Sequence, residues 1–118
     1  MGYILLIDDD DSLRLTFRAV LEMKDYEVIE AASSREAYDA CSKNRIAVVI
    51  TDLGLPDKDG LEMIAKLRKT YPDMKIIASS GTNKELLDKS IEAGADCVFP
   101  KPVEHEKLFE KLDEYLKK

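Results

Sequence analysis

Acidic side chains stand directly after two apolar runs of the sequence. Residues 8–11 are four consecutive aspartates that follow the run Tyr3 to Ile7, and Asp52 follows the β-branched run Ile46 to Ile50. Short β-branched runs of this kind are typical of buried strands. A carboxylate at the mouth of a buried strand is costly unless its charge is used. These aspartates are therefore the first candidates for chemistry.

A hydroxyl and an ammonium group stand in comparable places, because Ser80 and Lys101 each follow a further apolar run. If all these groups meet at one place, the aspartate carboxylates repel one another. For two charges about 4 Å apart the repulsion is about 4 kcal/mol at an effective dielectric of roughly 20. Mg²⁺ or Mn²⁺, hard cations with oxygen ligands, would remove that repulsion. A carboxylate nucleophile, a metal, an ammonium and a hydroxyl are the parts needed to form an aspartyl phosphate.

Five apolar runs alternate with segments of helical periodicity. The predicted strands are residues 3–7, 27–31, 46–50, 75–79 and 97–99. The first predicted helix has its apolar stripe at Leu13, Phe17, Val20 and Leu21. Five strand–helix repeats predict an α/β fold with a parallel sheet, right-handed crossovers and helices on both faces.

The ends of these strands indicate where a ligand binds. In parallel α/β sheets, ligands bind beyond the carboxyl ends of the strands, where the strand order reverses. Four of the five ends bring polar groups to this rim, and the second strand ends in Ala31-Ala32 without a reactive group. The candidate residues at the rim are Asp8, Asp9, Asp52, Ser80 and Lys101.

Local signals predict the helix boundaries. Asp10 and Asp11 are interpreted as N-terminal caps of the first helix, and Ser33 with Glu36 forms a capping-box pattern. Thr82 or Asn83 is expected to cap the fourth helix. Pro56 and Gly60 are interpreted as loop formers.

The composition restricts the classes of function. The chain has 118 residues, which we expect to form one domain over 1–118, and a formal net charge of −6. The acidic balance argues against direct nucleic-acid binding, since phosphate-binding surfaces are basic. No apolar run approaches the roughly 18 residues of a membrane span, so no membrane partner is expected. Cys41 and Cys97 have no metal-ligand spacing and are interpreted as small buried hydrophobic residues in a reducing cytoplasm.

Three blocks of the sequence resemble the signatures of a known family. Leu5 to Asp10, Val49 to Gly60, and Lys101-Pro102 are similar to the signature blocks of response-regulator receiver domains, the CheY-like domains of two-component signal transduction. The resemblance covers the whole chain. It implies a flavodoxin-like, doubly wound (βα)5 fold with strand order 2-1-3-4-5. It also implies a phosphorylatable switch that signals to a partner.

The resemblance assigns roles to the metal-binding residues. Asp52 corresponds to the phosphoacceptor, which takes a phosphoryl group from the phosphohistidine of a sensor histidine kinase or from a phosphotransfer protein. Asp9 corresponds to a direct Mg²⁺ ligand and Asp8 to its partner, often acting through water. The backbone carbonyl of Gly54 corresponds to a further metal ligand.

The resemblance also assigns groups that contact the phosphoryl oxygens. Ser80 stands where the family has a hydroxyl that turns toward the phosphoryl group, and Lys101 would bridge to a phosphoryl oxygen. The Lys101–Pro102 peptide is expected to be cis. Intrinsic Mg-dependent autophosphorylation and autodephosphorylation are implied, without classical enzyme activity.

One position departs from the family pattern. Many members have Tyr or Phe three residues before the lysine, where this chain has Val98. Phe99 is adjacent but is expected on the opposite face of its strand, because side chains alternate. Signalling is therefore expected to depend on the loop and helix after Ser80. The small Gly81 is expected to leave the acceptor accessible to water and donors.

Two other classes of function remain open at this point. A haloacid-dehalogenase-type phosphohydrolase would use Asp8-Asp9-Asp10 as its nucleophile motif, but the chain is short and has no cap domain. A flavodoxin-like cofactor binder would need an uncharged loop after the first strand. His105 is interpreted as a surface residue. The helix from Val103 is the expected surface for a homodimer, and the downstream target is unknown.

Overall fold

Strands and helices alternate throughout the structure, a computed structural model that describes residues 2–53, 60–81, 84–101 and 103–116. Within these residues there are five strands and five helices. In chain order they are β1 (Tyr3–Ile7), α1 (Asp11–Met23), β2 (Val28–Ala31), α2 (Ser34–Lys43), β3 (Ile46–Asp52), α3 (Gly60–Thr70), β4 (Lys75–Ser80), α4 (Lys84–Ala93), β5 (Cys97–Pro100) and α5 (His105–Leu116).

The strands form one parallel sheet in the order β2-β1-β3-β4-β5. The predicted doubly wound fold and its strand order are confirmed. The chain first runs from β1 to β2 at one edge of the sheet. It then crosses to β3 on the other side of β1 and continues through β4 to β5, so the direction of winding reverses at β1. Ile7 pairs with Thr51 in the sheet, which brings the carboxyl ends of β1 and β3 side by side.

The two faces of the sheet are covered by different helices. On one face, alternate strand residues such as Leu5 and Val49 pack with residues of α2, α3 and α4. On the other, Ile4 and Val48 pack with Leu21 of α1 and Leu108 and Leu112 of α5. Both faces of β3 are therefore buried, which is why its sequence shows no polar alternation. None of the helices described has the length and apolar character that crossing a membrane requires.

The predicted apolar stripe of α1 is wrong at its first position. Leu21 is fully buried and Phe17 packs at the edge of the core, but Leu13 is 56% exposed. Leu13 lies in the first turn of α1, beyond the end of β1, so it stands at the rim and not over the sheet. The periodicity of the sequence identifies the apolar face of a helix, but it does not show how much of that face is covered by the rest of the fold.

The caps follow the local signals. The Asp10 side chain accepts a hydrogen bond from the Leu13 amide (3.0 Å), and the Ser33 hydroxyl accepts one from the Glu36 amide (3.2 Å). The Glu36 carboxylate accepts a hydrogen bond from the amide of Ala32 (2.8 Å). The predicted cap at Thr82 or Asn83 lies outside the described residues.

Gly60 is the first residue of α3, where the sequence suggested only a loop former. A Cβ at this position would lie 2.6 Å from the backbone oxygen of Leu53, closer than real Cβ contacts. The missing side chain therefore allows α3 to begin directly against the backbone of the residue that follows Asp52.

Candidate metal centre at the carboxyl end of the sheet

Three carboxylates meet at the carboxyl ends of β1 and β3. Asp8, Asp9 and Asp52 each offer an oxygen, and these oxygens all lie within 4.8 Å of one another. Asp8 and Asp52 are partly buried, whereas Asp9 is exposed. The reversal of strand order at β1 produces this arrangement, because it leaves the ends of β1 and β3 adjacent.

The three residues fit a hard divalent cation. Carboxylate oxygens are the ligands that Mg²⁺ prefers, and two oxygens on opposite sides of a Mg²⁺ ion lie ~4.2 Å apart. The observed spread is close to that span, so small side-chain rotations would bring the oxygens to an ion. The set contains no sulfur or imidazole ligand, which favours Mg²⁺ or Mn²⁺ over softer metals.

The environment of Asp8 reflects this crowding. Burial raises the pKa of the Asp8 carboxyl above its ordinary value, and the charges of Asp52 and Asp9 raise it further. The Asp10 amide, which donates to Asp8 Oδ1 at 3.0 Å, and the Lys101 ammonium act in the opposite direction. The negative charge of Asp8 is thus only partly compensated by the chain itself.

Lys101 lies at the same rim. Its Nζ is 3.4 Å from Asp52 Oδ2, and both side chains are partly buried. The Lys101 amide donates a hydrogen bond to the Ser80 carbonyl (3.0 Å), so the end of β4 holds the residue that follows β5 in place. Four predicted site residues therefore stand together: Asp8, Asp9, Asp52 and Lys101.

Two serine hydroxyl groups, those of Ser79 and Ser80, stand at the end of β4. Ser80 is buried and pairs with Pro100, but it is Ser79 that pairs with Asp52 and shares its side of the sheet. The Ser79 hydroxyl donates a long hydrogen bond to the Thr51 carbonyl (3.4 Å). Only the register of β4 against β3 distinguishes these adjacent serines, so Ser79 is a second candidate beside Ser80, whose role stays a prediction.

A largely apolar cavity of about 520 Å³ adjoins the acidic cluster. The described residues lining it include Asp52, Ser79 and Lys101, together with Phe17 of α1 and His105 of α5. His105 is exposed, as expected, and its ring stacks on Phe17 with centroids 5.6 Å apart and planes 13° apart. His105 therefore forms a contact between α5 and α1 on the side of the sheet where Asp52 lies.

The strand that precedes Lys101 places its two side chains on opposite faces. Val98 packs against the core on the side of α2, α3 and α4, whereas Phe99 packs against the core on the side of α1 and α5. This is the alternation expected from the sequence. At the position where many receiver domains carry an aromatic ring, this chain thus has an aliphatic side chain in the sheet.

Two predicted features lie outside the described residues: the Gly54 carbonyl as a metal ligand and the cis peptide before Pro102. The two cysteines, Cys41 and Cys97, lie within the described residues, and their thiols are free. Cys41 is buried, and burial raises its pKa to about 11, whereas Cys97 is only partly buried.

Comparisons with known proteins agree on one family. Residues 4–113 match the family described as "Response regulator receiver domain". The sensor kinase CckA of Brucella abortus (strain 2308) is 33% identical over an alignment of 118 positions that covers 98% of this chain and 12% of CckA. The transcriptional regulatory protein SrrA of Staphylococcus aureus (strain NCTC 8325 / PS 47) is 32% identical over 99 residues, 84% of this chain and 41% of SrrA.

A solved structure has the same fold. The response regulator protein TrrA from Thermotoga maritima, in complex with Mg²⁺-BeF, superposes with a TM-score of 0.88 at 30% identity, covering 98% of this chain and all of TrrA. The chain spans about one eighth of the length of CckA and about two fifths of that of SrrA, so the match to them is a match of domains. With the family matched over most of its length and the fold shared throughout, the chain belongs to the response-regulator receiver domain family.

Proposed function

We propose that Asp52 is the phosphoacceptor of this receiver domain, and that it takes a phosphoryl group from the phosphohistidine of a sensor histidine kinase or phosphotransfer protein. The observation that carries the proposal is the meeting of Asp8, Asp9 and Asp52 within 4.8 Å, with the Lys101 ammonium 3.4 Å from Asp52. Residues 1–118 are taken as one receiver domain.

The chemistry requires few groups from the chain. An oxygen of Asp52 attacks the phosphorus, the phosphorus–nitrogen bond of the phosphohistidine breaks, and the imidazole leaves with that bonding pair. A Mg²⁺ ion held by Asp8, Asp9, Asp52 and the Gly54 carbonyl would offset the negative charge of the carboxylates and the phosphoryl oxygens.

The remaining groups contact the transferred phosphoryl. Lys101 holds its ammonium beside Asp52 and is available to pair with a phosphoryl oxygen. Ser80 would provide a hydroxyl after a rearrangement at the end of β4, and Ser79 is already on the side of Asp52. Slow Mg-dependent autophosphorylation from small donors, and autodephosphorylation by water, are parts of the same proposal.

The phosphoryl donor must approach the carboxyl end of the sheet from outside. Leu13 lines the same cavity as Asp52 and is 56% exposed, and Leu15 on the same helix is 63% exposed. Leu13, an exposed apolar group beside a charged site, is suited to the apolar face of a donor protein, and Leu15 extends the exposed apolar surface of α1. The donor is therefore expected to contact α1 and leave the opposite side of the domain for the downstream target.

The domain works in two-component signalling as a switch and not as a classical enzyme. Family membership excludes the haloacid-dehalogenase-type and flavodoxin-like interpretations of the sequence. The free thiols are compatible with the reducing cytoplasm, where we place the domain. A homodimer through α5 stays a prediction, as does an output route through the end of β4 in place of an aromatic switch.

Incubation with acetyl phosphate, with and without Mg²⁺, tests this proposal. The intact protein should gain one phosphoryl group by mass spectrometry in Mg²⁺ and none in EDTA. Asp52→Asn should abolish the gain, whereas Asp8→Asn should only slow it. If Asp52→Asn still gains the phosphoryl group and Asp8→Asn does not, the acceptor is Asp8 and the proposal is wrong.

A further inference from the structure

The guanidinium of Arg14 connects three parts of the fold. Its Nη1 donates to the Asp8 carbonyl at 2.6 Å, its Nε to Glu30 at 2.8 Å and its Nη2 to Asp11 at 2.7 Å. The side chain is only 13% exposed. Arg14 thus links α1 to β2 and to the turn that carries the acidic pair.

Both peptide groups flanking Asp8 are held by β2, one directly and one through Arg14. The Asp8 amide donates to the Ala31 carbonyl at 3.1 Å, and the Asp8 carbonyl accepts from Arg14, which is bound to Glu30. Because a peptide group is planar, fixing the Asp8 carbonyl also fixes the Asp9 amide and the direction in which Asp9 leaves the strand.

Asp9 depends on this backbone restraint. Its side chain is exposed, so little packing fixes where the carboxylate stands. The position of its oxygen relative to Asp8 and Asp52 therefore follows from the turn that Arg14 holds. β2, which ends without a reactive group of its own, acts on the rim through Glu30.

We propose that Arg14, anchored by Glu30, is a positioning residue that pre-sets the Asp8–Asp9 turn for a divalent cation. This inference rests on the proposed metal site of Asp8, Asp9 and Asp52. Partners of metal ligands commonly change affinity by about 10- to 100-fold when removed. We expect an effect at the lower end, about tenfold, because Arg14 acts through a backbone carbonyl.

The positive charge of Arg14 should lower the Mg²⁺ affinity of the site, whereas its positioning of the turn should raise that affinity. A cation near the cluster repels Mg²⁺, so removal of the charge alone would tighten Mg²⁺ binding. If the arginine acts by positioning, its removal weakens binding. Lysine distinguishes the two effects, because it keeps the charge but lacks the planar fork that reaches Asp8, Glu30 and Asp11 together.

Arg18 provides a matched control on the same helix. It also binds Glu30, at 2.7 Å, and its other recorded partner is Glu22, at 3.0 Å. Neither of these two carboxylates belongs to the turn that carries Asp8 and Asp9. Arg18→Gln therefore removes an ion pair to Glu30 and one positive charge while keeping the contact of Arg14 with the Asp8 carbonyl.

The test is a Mg²⁺ titration without phosphodonor, followed by the amide NMR shifts of the whole domain, with stability measured in parallel by urea unfolding. Arg14→Gln and Arg14→Lys should both weaken Mg²⁺ binding about tenfold, Glu30→Gln should weaken it in the same direction, and Arg18→Gln should leave it within about twofold. Glu30→Gln retains the Arg14 side chain but weakens its anchor, so it serves if the Arg14 variants do not fold.

Each outcome decides the inference. Unchanged or tighter Mg²⁺ binding in Arg14→Gln, or in Glu30→Gln where the Arg14 variants are unfolded, overturns it, as does an equal loss in Arg18→Gln. Wild-type affinity in Arg14→Lys would show that the planar fork of the guanidinium does not set the turn, and it also overturns the inference. If the unmodified protein itself binds no Mg²⁺ at the three aspartates, the proposed metal site fails and the inference fails with it.

Discussion

At the scale of single residues, Lys101 stands beside the site that we propose for two ligands of opposite charge, a divalent cation and a phosphoryl group. Its ammonium stands 3.4 Å from Asp52, where it offsets part of the repulsion among the carboxylates. The same positive charge repels an incoming cation but attracts a phosphoryl group. Metal binding and phosphoryl uptake should therefore respond to its loss in opposite directions.

We expect Lys101→Met to tighten Mg²⁺ binding while slowing phosphoryl uptake from acetyl phosphate by about a hundredfold. Methionine keeps much of the length of the side chain and removes only the charge. Mg²⁺ affinity from titration and the initial rate of phosphorylation at saturating Mg²⁺ measure the two effects separately. A rate equal to that of the unmodified protein would show that Lys101 does not contact the phosphoryl group.

The sequence alone predicted which side chains meet at this rim, because each candidate is a polar residue directly after a buried run. Asp8, Asp9, Asp52 and Lys101 meet as expected. The hydroxyl at the end of β4 was less accessible to sequence reasoning. Ser79 and Ser80 are chemically identical neighbours, and only strand register shows which one shares the side of Asp52.

At the scale of elements, Arg68 of α3 holds the end of the sheet opposite the acidic cluster. It donates to the carbonyls of Gly94 (2.8 Å) and Met74 (2.7 Å) and forms an ion pair with Asp96 (2.6 Å). Gly94 ends α4 with φ 129°, in a conformation that L side chains rarely adopt. A Cβ there would lie 2.9 Å from the Arg68 side chain.

Gly94→Ala should therefore lower the free energy of unfolding by about 2 kcal/mol. Gly81→Ala is the matched control, because, its chain neighbours aside, no described residue has an atom within 4 Å of a Cβ added at that position. The control should stay within about 0.5 kcal/mol of the unmodified protein. Urea unfolding of both variants checks the pair, and equal losses would contradict the strain assigned to Gly94.

The link between α1 and β2 should depend on pH. Hydrogen bonds from Arg18 and Arg14 lower the pKa of Glu30 below 4.5 in the folded protein. The charged form of Glu30 therefore stabilises the fold above pH 4.5, and this contribution is lost as the pH falls through the lowered pKa.

Glu30→Gln should accordingly cost about 2 kcal/mol at pH 7, where charged hydrogen bonds are intact. The difference from the unmodified protein should shrink as the pH falls below 4.5. Unfolding free energies at a series of pH values check this. A difference that stays constant down to the lowest pH would show that the ion pairs with Arg14 and Arg18 contribute little.

The elements themselves were largely predictable, since strand and helix periods differ and alternate five times. Where prediction failed, tertiary placement decided. Leu13 continues the apolar stripe of α1 in sequence, yet it projects past the end of the sheet. Gly60 looks like a loop residue until the Leu53 backbone is seen beside it.

At the scale of the whole molecule, the strand order should couple folding to the proposed ion binding. The doubly wound order puts the ends of β1 and β3 together, so the folded state must hold Asp52 beside Asp8 and Asp9, from which it is remote in the unfolded chain. A divalent cation bound only by the folded state should stabilise it, by about 2.7 kcal/mol at a hundred times the dissociation constant.

We expect Asp9→Asn to separate these two effects. In EDTA its melting temperature should be higher than that of the unmodified protein, because one of three repelling charges is gone. In Mg²⁺ the order should reverse, since the variant has lost a ligand. Thermal unfolding in both buffers gives the answer, and a variant less stable in EDTA would argue against repulsion in the cluster.

The central claim is that Asp52 carries the phosphoryl group. The most direct measurement is to phosphorylate the protein with acetyl phosphate in Mg²⁺, reduce the acyl phosphate with borohydride, and locate the reduced residue by peptide mass spectrometry. We predict that the reduction product is found at residue 52 alone. A product among residues 8–11, with residue 52 unmodified, would contradict the account.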